Sequence, residues 1–148
     1  PITARQQRQL AFARQVARSR KAALASGREF LLMGDLNIAH LTHDVRNWRT
    51  SRRSEGFLPS EREWIDALIG PRTLVDVLRR HVGEVDGPYS WWSWMGEAFA
   101  KDVGWRIDYQ VVSDGLVDRD EEDRLIASVD AAVAPDIADD MVAVVRED

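Results

Sequence analysis

The segment "REFLLMGDLNIAH", residues 28–40, constrains the fold more than any other part of the chain. Phe30, Leu31, Leu32 and Met33 form an unbroken apolar run, and a run this short that ends at a glycine predicts a strand covered on both faces. Asp35 and Asn37 then leave the strand where the sheet ends. In α/β sheets that rim is where ligands bind, so a carboxylate and an amide two residues apart there are candidates for chemistry. The same pair also suits an Asx turn, because Asp and Asn after Gly stabilise turns without any catalytic duty. Spacing alone does not separate the two readings.

A chain of 148 residues is long enough for one domain that buries ~70% of the surface its unfolded form exposes. A single domain over 1–148 is the expectation, with 114–148 as an acidic, divergent tail. No apolar run approaches the ~18 residues that a membrane span requires, and the first residues lack the pattern of a signal peptide. The absence of cysteine excludes disulfides and thiolate metal sites and fits a reducing compartment, so a cytoplasmic location is expected. The net charge of −5 is unevenly spread: residues 1–113 hold 17 Lys and Arg against 13 Asp and Glu, whereas 114–148 hold 3 against 12. The first three quarters could therefore meet a phosphate backbone, and the last quarter would repel one.

Thr3 and Gln6 have capping-box spacing, and Leu10, Ala13, Ala17 and Leu24 recur at helical steps as far as Gly27, which predicts an amphipathic helix. Its Arg and Lys residues suit a solvated face better than a DNA-binding one. "LTHDVRNWRTSRRSEGFLP" reads as a loop, and loops longer than ~12–15 residues are usually functional or disordered. Its His-x-x-His spacing lacks a third metal ligand. A second helix is expected after Pro59, capped by Ser60 and Glu63, with Trp64, Leu68 and Ile69 on its buried side. "TLVDVLRR" forms a short element. "YSWWSWM" and "GWRIDYQVV" read as a hairpin or neighbouring strands, the second placing Arg106, Asp108 and Gln110 opposite Ile107, Tyr109 and Val111. "LIASVDAAV" and "MVAVV" complete the expected strands. Strands 28–33 and 107–112 should share a sheet and bring Asp35, Asn37 and Asp108 to one rim.

At "GDLNIAH…NW…GFLPSEREW…YSWW…VGWRIDY" the chain resembles the C-terminal half of the exonuclease III-like abasic-site DNA endonucleases, from about residue 3 to about residue 117. These belong to the exonuclease, endonuclease and phosphatase superfamily. The resemblance implies an α/β (α+β) fold, part of a four-layer sandwich of two packed mixed β-sheets with outer helices. It also implies Mg²⁺ (or Mn²⁺) dependent cleavage of duplex DNA at abasic sites or 3′ ends. A phosphodiester is anionic with a poor leaving group, so its hydrolysis needs an oriented water, a proton acceptor and donors or metal for the developing charge. By resemblance Asp35 orients or activates the water, and the uncharged Asn37 can lie against a phosphate without repulsion. Asp108 resembles a carboxylate that fixes the tautomer of a catalytic histidine.

Trp91, Trp92 and Trp105 resemble aromatics that line the pocket for a flipped abasic sugar, with Trp105 expected first and Trp92 next. Bulky core packing is the competing role for each. Met95 matches the position of a side chain that wedges into the duplex, and Arg46, Asn47, Arg49, Arg52 and Arg53 resemble phosphate contacts. The chain departs from the family where a Ser-Asp-His triplet is expected. "ADDMVAVVRED" offers Asp140, a candidate catalytic residue and metal ligand, with Met141 in place of the histidine; shifted by one, it offers Asp139 and Asp140. The family's N-terminal half, which carries a Mg²⁺-binding glutamate, has no counterpart here. The chain therefore reads as a split or incomplete repair phosphodiesterase that needs a missing N-terminal half, or as a degenerate relative that serves as a protein-interaction module.

Overall fold

The computed structural model describes residues 2–70 and 73–117, together with the backbone of 142–146. The strand expected at "LIASVDAAV" and the tail residues Asp139, Asp140 and Met141 lie outside the described residues. Helix α1 spans Ala4–Ala25 and opens with the expected capping box between Thr3 and Gln6. It closes where Arg28 N–H donates to Ala23 O and Gly27 takes φ +70°, a left-handed turn that glycine allows without a Cβ clash. The inward stripe is Phe12, Val16 and Ala23, one position off the expected one, and Leu10 and Leu24 are exposed. Alanine-rich helices leave the phase of the apolar stripe weakly marked. The larger Phe12 and Val16 decide it.

Strand β1 (Glu29–Asp35) is the centre of a sheet ordered β2 (Leu74–Asp76), β5 (Asp108–Ser113), β1, β6 (Val142–Arg146), with every pairing antiparallel. The named strands of this sheet thus pair antiparallel, and an isolated parallel bridge joins Ile69 to Leu74 at the β2 edge. Phe30, Leu32, Tyr109 and Val111 point to one face and pack with Val16 of α1 and with Ile65 and Leu68 of α3 (Pro59–Leu68). Burial of such a side chain contributes ~1.5–3 kcal/mol. On the opposite face Leu31, Met33 and Gln110 are only half-buried, so the apolar run is covered fully on one face rather than on both.

Residues 41–59, expected to be a loop, hold a 3₁₀ turn at Thr42–Asp44 and a short helix α2 at Trp48–Ser51. Helix α3 is capped differently from the expectation. Pro59 takes the first helical position, and the Glu61 carboxylate accepts from Leu58 N–H at 3.1 Å, the role assigned to Ser60 and Glu63. The "TLVDVLRR" element divides into β2 and helix α4 (Val77–Val82), capped by Asp76, which accepts from Arg79 N–H at 3.2 Å. Strands β3 (Trp91–Trp92) and β4 (Gly104–Trp105) form a separate antiparallel ribbon. "GWRIDY" is thus not one strand: it breaks at Arg106 and Ile107 and passes from the ribbon into the main sheet.

Candidate active site

The register pairs Asp35 with Asp108 at the ends of β1 and β5, which puts both side chains on the half-buried face at one rim. The expectation of a shared sheet holds. Leu36 N–H donates to Ile107 O at 2.9 Å and extends the strand contact by one step, and Asn37 N–H then donates to Asp35 Oδ1 at 2.7 Å. Asn37 has φ +54°, a left-handed conformation that Asn adopts more readily than most residues. The Asx turn and the polar rim are therefore one structure. Burial raises the Asp35 carboxyl above its ordinary range; the Asn37 N–H pulls it down, and the charge of Asp108 pushes it up. Ser90, which sequence reasoning did not single out, accepts from the N–H groups of Ile107 at 3.0 Å and Asp108 at 3.2 Å and so fixes the entry to β5.

A cavity of about 490 Å³ opens at this rim, and its walls include Arg5, Asp35, Asn37, Trp91, Trp105 and Ile107. Trp105, expected first, is in the wall and packs edge-on to Phe57 at 6.3 Å between ring centroids. Trp92 is not. Neighbouring strand residues face opposite ways, so once Trp91 pairs with Trp105 and turns to the cavity, Trp92 turns away. It donates from Nε1 to Asp102 Oδ1 at 3.1 Å and packs against Phe99. Met95 is 67% exposed and the adjacent Trp94 is 93% exposed, so both stand on the surface outside the cavity wall. Arg49, Arg52 and Arg53 are also exposed and outside the wall. The first two guanidinium groups lie over the Trp48 ring at 4.5 and 5.6 Å.

Arg106, which the sequence places on the face opposite Ile107 and Tyr109, belongs to a buried ion network that sequence reasoning did not single out. Arg106 is 1% exposed. Its Nε donates to Asp44 Oδ1 at 2.7 Å, and Nη1 and Nη2 donate to Asp76 at 3.0 and 2.6 Å. Arg79 Nη2 reaches the same Asp44 oxygen at 2.6 Å. Burial would raise the Asp44 carboxyl, but hydrogen bonds and charge from Arg106, with help from Leu41 N–H and Arg79, hold it below the usual carboxylate range. For Arg106 the two carboxylates outweigh burial and keep it charged. The acid enclosed by apolar residues in "LVDVL" was the available signal for this network.

The two histidines of "HLTHD" do not converge on a common point. His40 pairs with Asp66, while His43 pairs with Asp86 at 3.1 Å. No group of three or more His, Cys, Asp or Glu that could hold a metal occurs among the described residues. No helix among them is long and apolar enough to cross a membrane.

An antiparallel sheet backed by helices, with paired carboxylates and an asparagine at an aromatic-walled cavity on its rim, defines an α+β protein with a polar cleft at the sheet edge. The chain belongs to the endonuclease/exonuclease/phosphatase family, whose sequence model matches residues 1–130. It is 38% identical over 99 residues to an exodeoxyribonuclease of Bacillus subtilis, a match that covers 67% of this chain and 39% of the relative. It is 40% identical over 85 residues to a DNA-(apurinic or apyrimidinic site) endonuclease of Dictyostelium discoideum, covering 57% of this chain and 23% of the relative. A crystal structure of an AP endonuclease from Leishmania major superimposes with a TM-score of 0.52 at 30% identity, over 57% of this chain and 26% of that one. The chain thus spans well under half the length of these relatives.

Proposed function

We propose that this chain supplies part of the catalytic centre of a DNA phosphodiesterase that acts on duplex DNA at abasic sites or 3′ ends with a divalent cation, Mg²⁺ or Mn²⁺. One observation carries the reading: Asp35, with the paired Asp108 beside it, and Asn37 share a rim where Asp35, Asn37 and Trp105 wall one cavity. Asp35 takes the proton of the attacking water, and burial raises its carboxyl above the ordinary range, which makes it a stronger base than a free carboxylate. Asn37 is exposed at the cavity and offers amide donors to a phosphate oxygen without adding charge. Trp105 and Trp91 give the flat apolar walls against which an extruded sugar packs. Asp108 orients a further polar group at the rim.

Mg²⁺ commonly takes one or two carboxylates, several waters and the substrate phosphate. The described residues bring two carboxylates to the rim and not a closed set of ligands, and Asp140, proposed as a ligand, lies outside the described residues. When bound, the ion would stabilise charge on the phosphate oxygens. Outside the wall, Arg49, Arg52 and Arg53 are proposed to contact phosphates and Met95 to wedge into the duplex. A cytoplasmic location is part of the same proposal.

The test is incision of an abasic duplex and trimming of 3′ ends in Mg²⁺ by the purified chain, alone and mixed with the N-terminal half of the Bacillus relative. Turnover that disappears with Asp35→Asn is the expected result. Turnover that persists in that variant, or no turnover either alone or in the mixture, sinks the reading.

A further inference from the structure

Glu61 is a buried acid, 6% exposed, in the first turn of α3. Capping that helix requires only the Leu58 N–H, yet the carboxylate collects several more donors. Oε2 also accepts from Gly56 N–H at 2.7 Å. Oε1 accepts from Gln9 Nε2 at 2.8 Å and from Arg5 Nε and Nη2 at 3.3 and 3.2 Å. Both of those side chains come from α1. Arg5 Nη2 in turn donates to Asn37 O at 3.0 Å, and Arg5 stands in the wall of the cavity.

Asn37 is the residue that needs such a hold. Asn tolerates the left-handed backbone better than most residues, but the conformation still carries a cost that neighbouring contacts can offset. Asp35 takes its N–H from one side and Arg5 takes its carbonyl from the other. Gly56, at φ +90°, closes behind it: a Cβ there would come within 3.1 Å of Asn37 O and 3.3 Å of the Trp105 ring. Gly56 O also accepts from Ala39 N–H at 2.8 Å, which ties the 36–39 turn to the same loop.

We propose that Arg5 and Glu61 are positioning residues for the reaction centre: Glu61 fixes the Arg5 guanidinium, and Arg5 locks Asn37 in the left-handed conformation that offers its N–H to Asp35 and its amide to the cavity. The assignment rests on the phosphodiesterase reading for its purpose, though not for its geometry. The guanidinium is required because one planar group must reach a carboxylate and a carbonyl together, which an ammonium does less well.

The test is NMR of the 148-residue chain without metal or DNA, read at the Asn37 amide. In the native chain that proton should shift with pH as Asp35 titrates, since Asp35 is its acceptor. Arg5→Met should shrink this response and speed exchange of the Asn37 amide by about tenfold or more, the loss expected for one charge-assisted hydrogen bond. Exchange at Leu32 and Val111, in the centre of the sheet, should stay unchanged. Arg5→Lys should restore part of the response, and Glu61→Gln should resemble Arg5→Met. An Asn37 amide unaffected by Arg5→Met overturns the proposal, as does equal acceleration at Leu32 and Val111, which would mark Arg5 as a general stabiliser. If Glu61→Gln does not fold, the Arg5 pair of variants decides alone. In the complemented incision assay Arg5→Met should lower kcat about tenfold with KM nearly unchanged. Lack of turnover by the native mixture would defeat the phosphodiesterase reading and leave the outcome of the NMR experiment intact.

Discussion

Asp35 and Asp108 face each other as register partners at the ends of antiparallel strands, two carboxylates on the same face of one sheet. Like charges directly opposite destabilise a strand pair, so the arrangement works against the fold that contains it. Burial acts first and the Asp108 charge adds to it, and both raise the Asp35 carboxyl. A group that gains a proton more easily when folded stabilises the fold least when ionised. This carboxylate pair is the feature on which the proposed phosphodiesterase centre rests.

Replacing Asp108 with Asn should move the Asp35 pKa down towards the ordinary carboxylate range. The sign follows from linkage: the penalty for ionising Asp35 is absent below its unfolded pKa, grows as pH rises towards the raised folded pKa and is complete above it. Asp108→Asn should therefore gain ~0.2–1 kcal/mol near neutral pH, a small value because the rim is partly solvated, and little in acid. Carboxyl ¹³C titration and urea unfolding at two pH values measure both effects. An Asp35 titration that stays fixed would remove the electrostatic coupling from the site.

The buried network should show the opposite pH behaviour. Asp44 has a lowered folded pKa, so its contribution is complete above the unfolded carboxylate pKa and is lost as pH falls through the folded one. Asp44→Asn leaves Arg106 and Arg79 without their shared acceptor charge in the interior, and breaking one side of a buried pair costs ~3–5 kcal/mol. Urea unfolding should report that loss at pH 7 and a much smaller one near pH 2. An equal loss at both would mean that Asp44 acts through packing.

The parts legible in the sequence are those where two signals agree. The apolar run ending at Gly34 marks β1, alternation from Tyr109 to Val111 marks β5, and together they place Asp35 against Asp108. Thr3 and Gln6 announce the start of α1 for the same reason. Sequence and structure part where one residue of phase decides the outcome. In a strand of only two residues, nothing local tells whether Trp91 or Trp92 turns inward, and the pairing with Trp105 decides it. Arg106 escapes a local reading because its partners, Asp44 and Asp76, come from distant segments. Its burial is a property of three segments together and has no local signature.

Duplex binding should reside in the 42–53 segment and weaken steeply with salt. Arg49, Arg52 and Arg53 are exposed, and stacking on Trp48 preorganises the first two. Removing any one arginine that neutralises a phosphate should flatten the slope of log affinity against log salt by ~0.9. Charge reversal at all three should abolish measurable binding in fluorescence anisotropy at moderate salt. Unchanged affinity in the triple variant would move the binding surface elsewhere on the chain.

The 148-residue polypeptide tested by itself should give little or no Mg²⁺-dependent incision of abasic DNA. It matches 39% of the length of its Bacillus relative, so most of that relative's length has no matched counterpart in this polypeptide. Among the described residues the rim offers two carboxylates and an asparagine, and no histidine lines its cavity. A missing donor to the developing phosphate charge costs ~2.7–4 kcal/mol, or ~10²–10³ in rate. The loss of a metal-binding glutamate would fall on the same charge, so the two deficits leave little to stabilise the transition state. Addition of the relative's N-terminal half should raise incision, and Met141→His should raise it further. Asp35→Asn should remove whatever activity either change restores. Robust incision by the unmodified polypeptide that vanishes with Asp35→Asn would show that another group of this chain takes the histidine's place, and a scan of the acidic segment 114–148 would then be the way to find it.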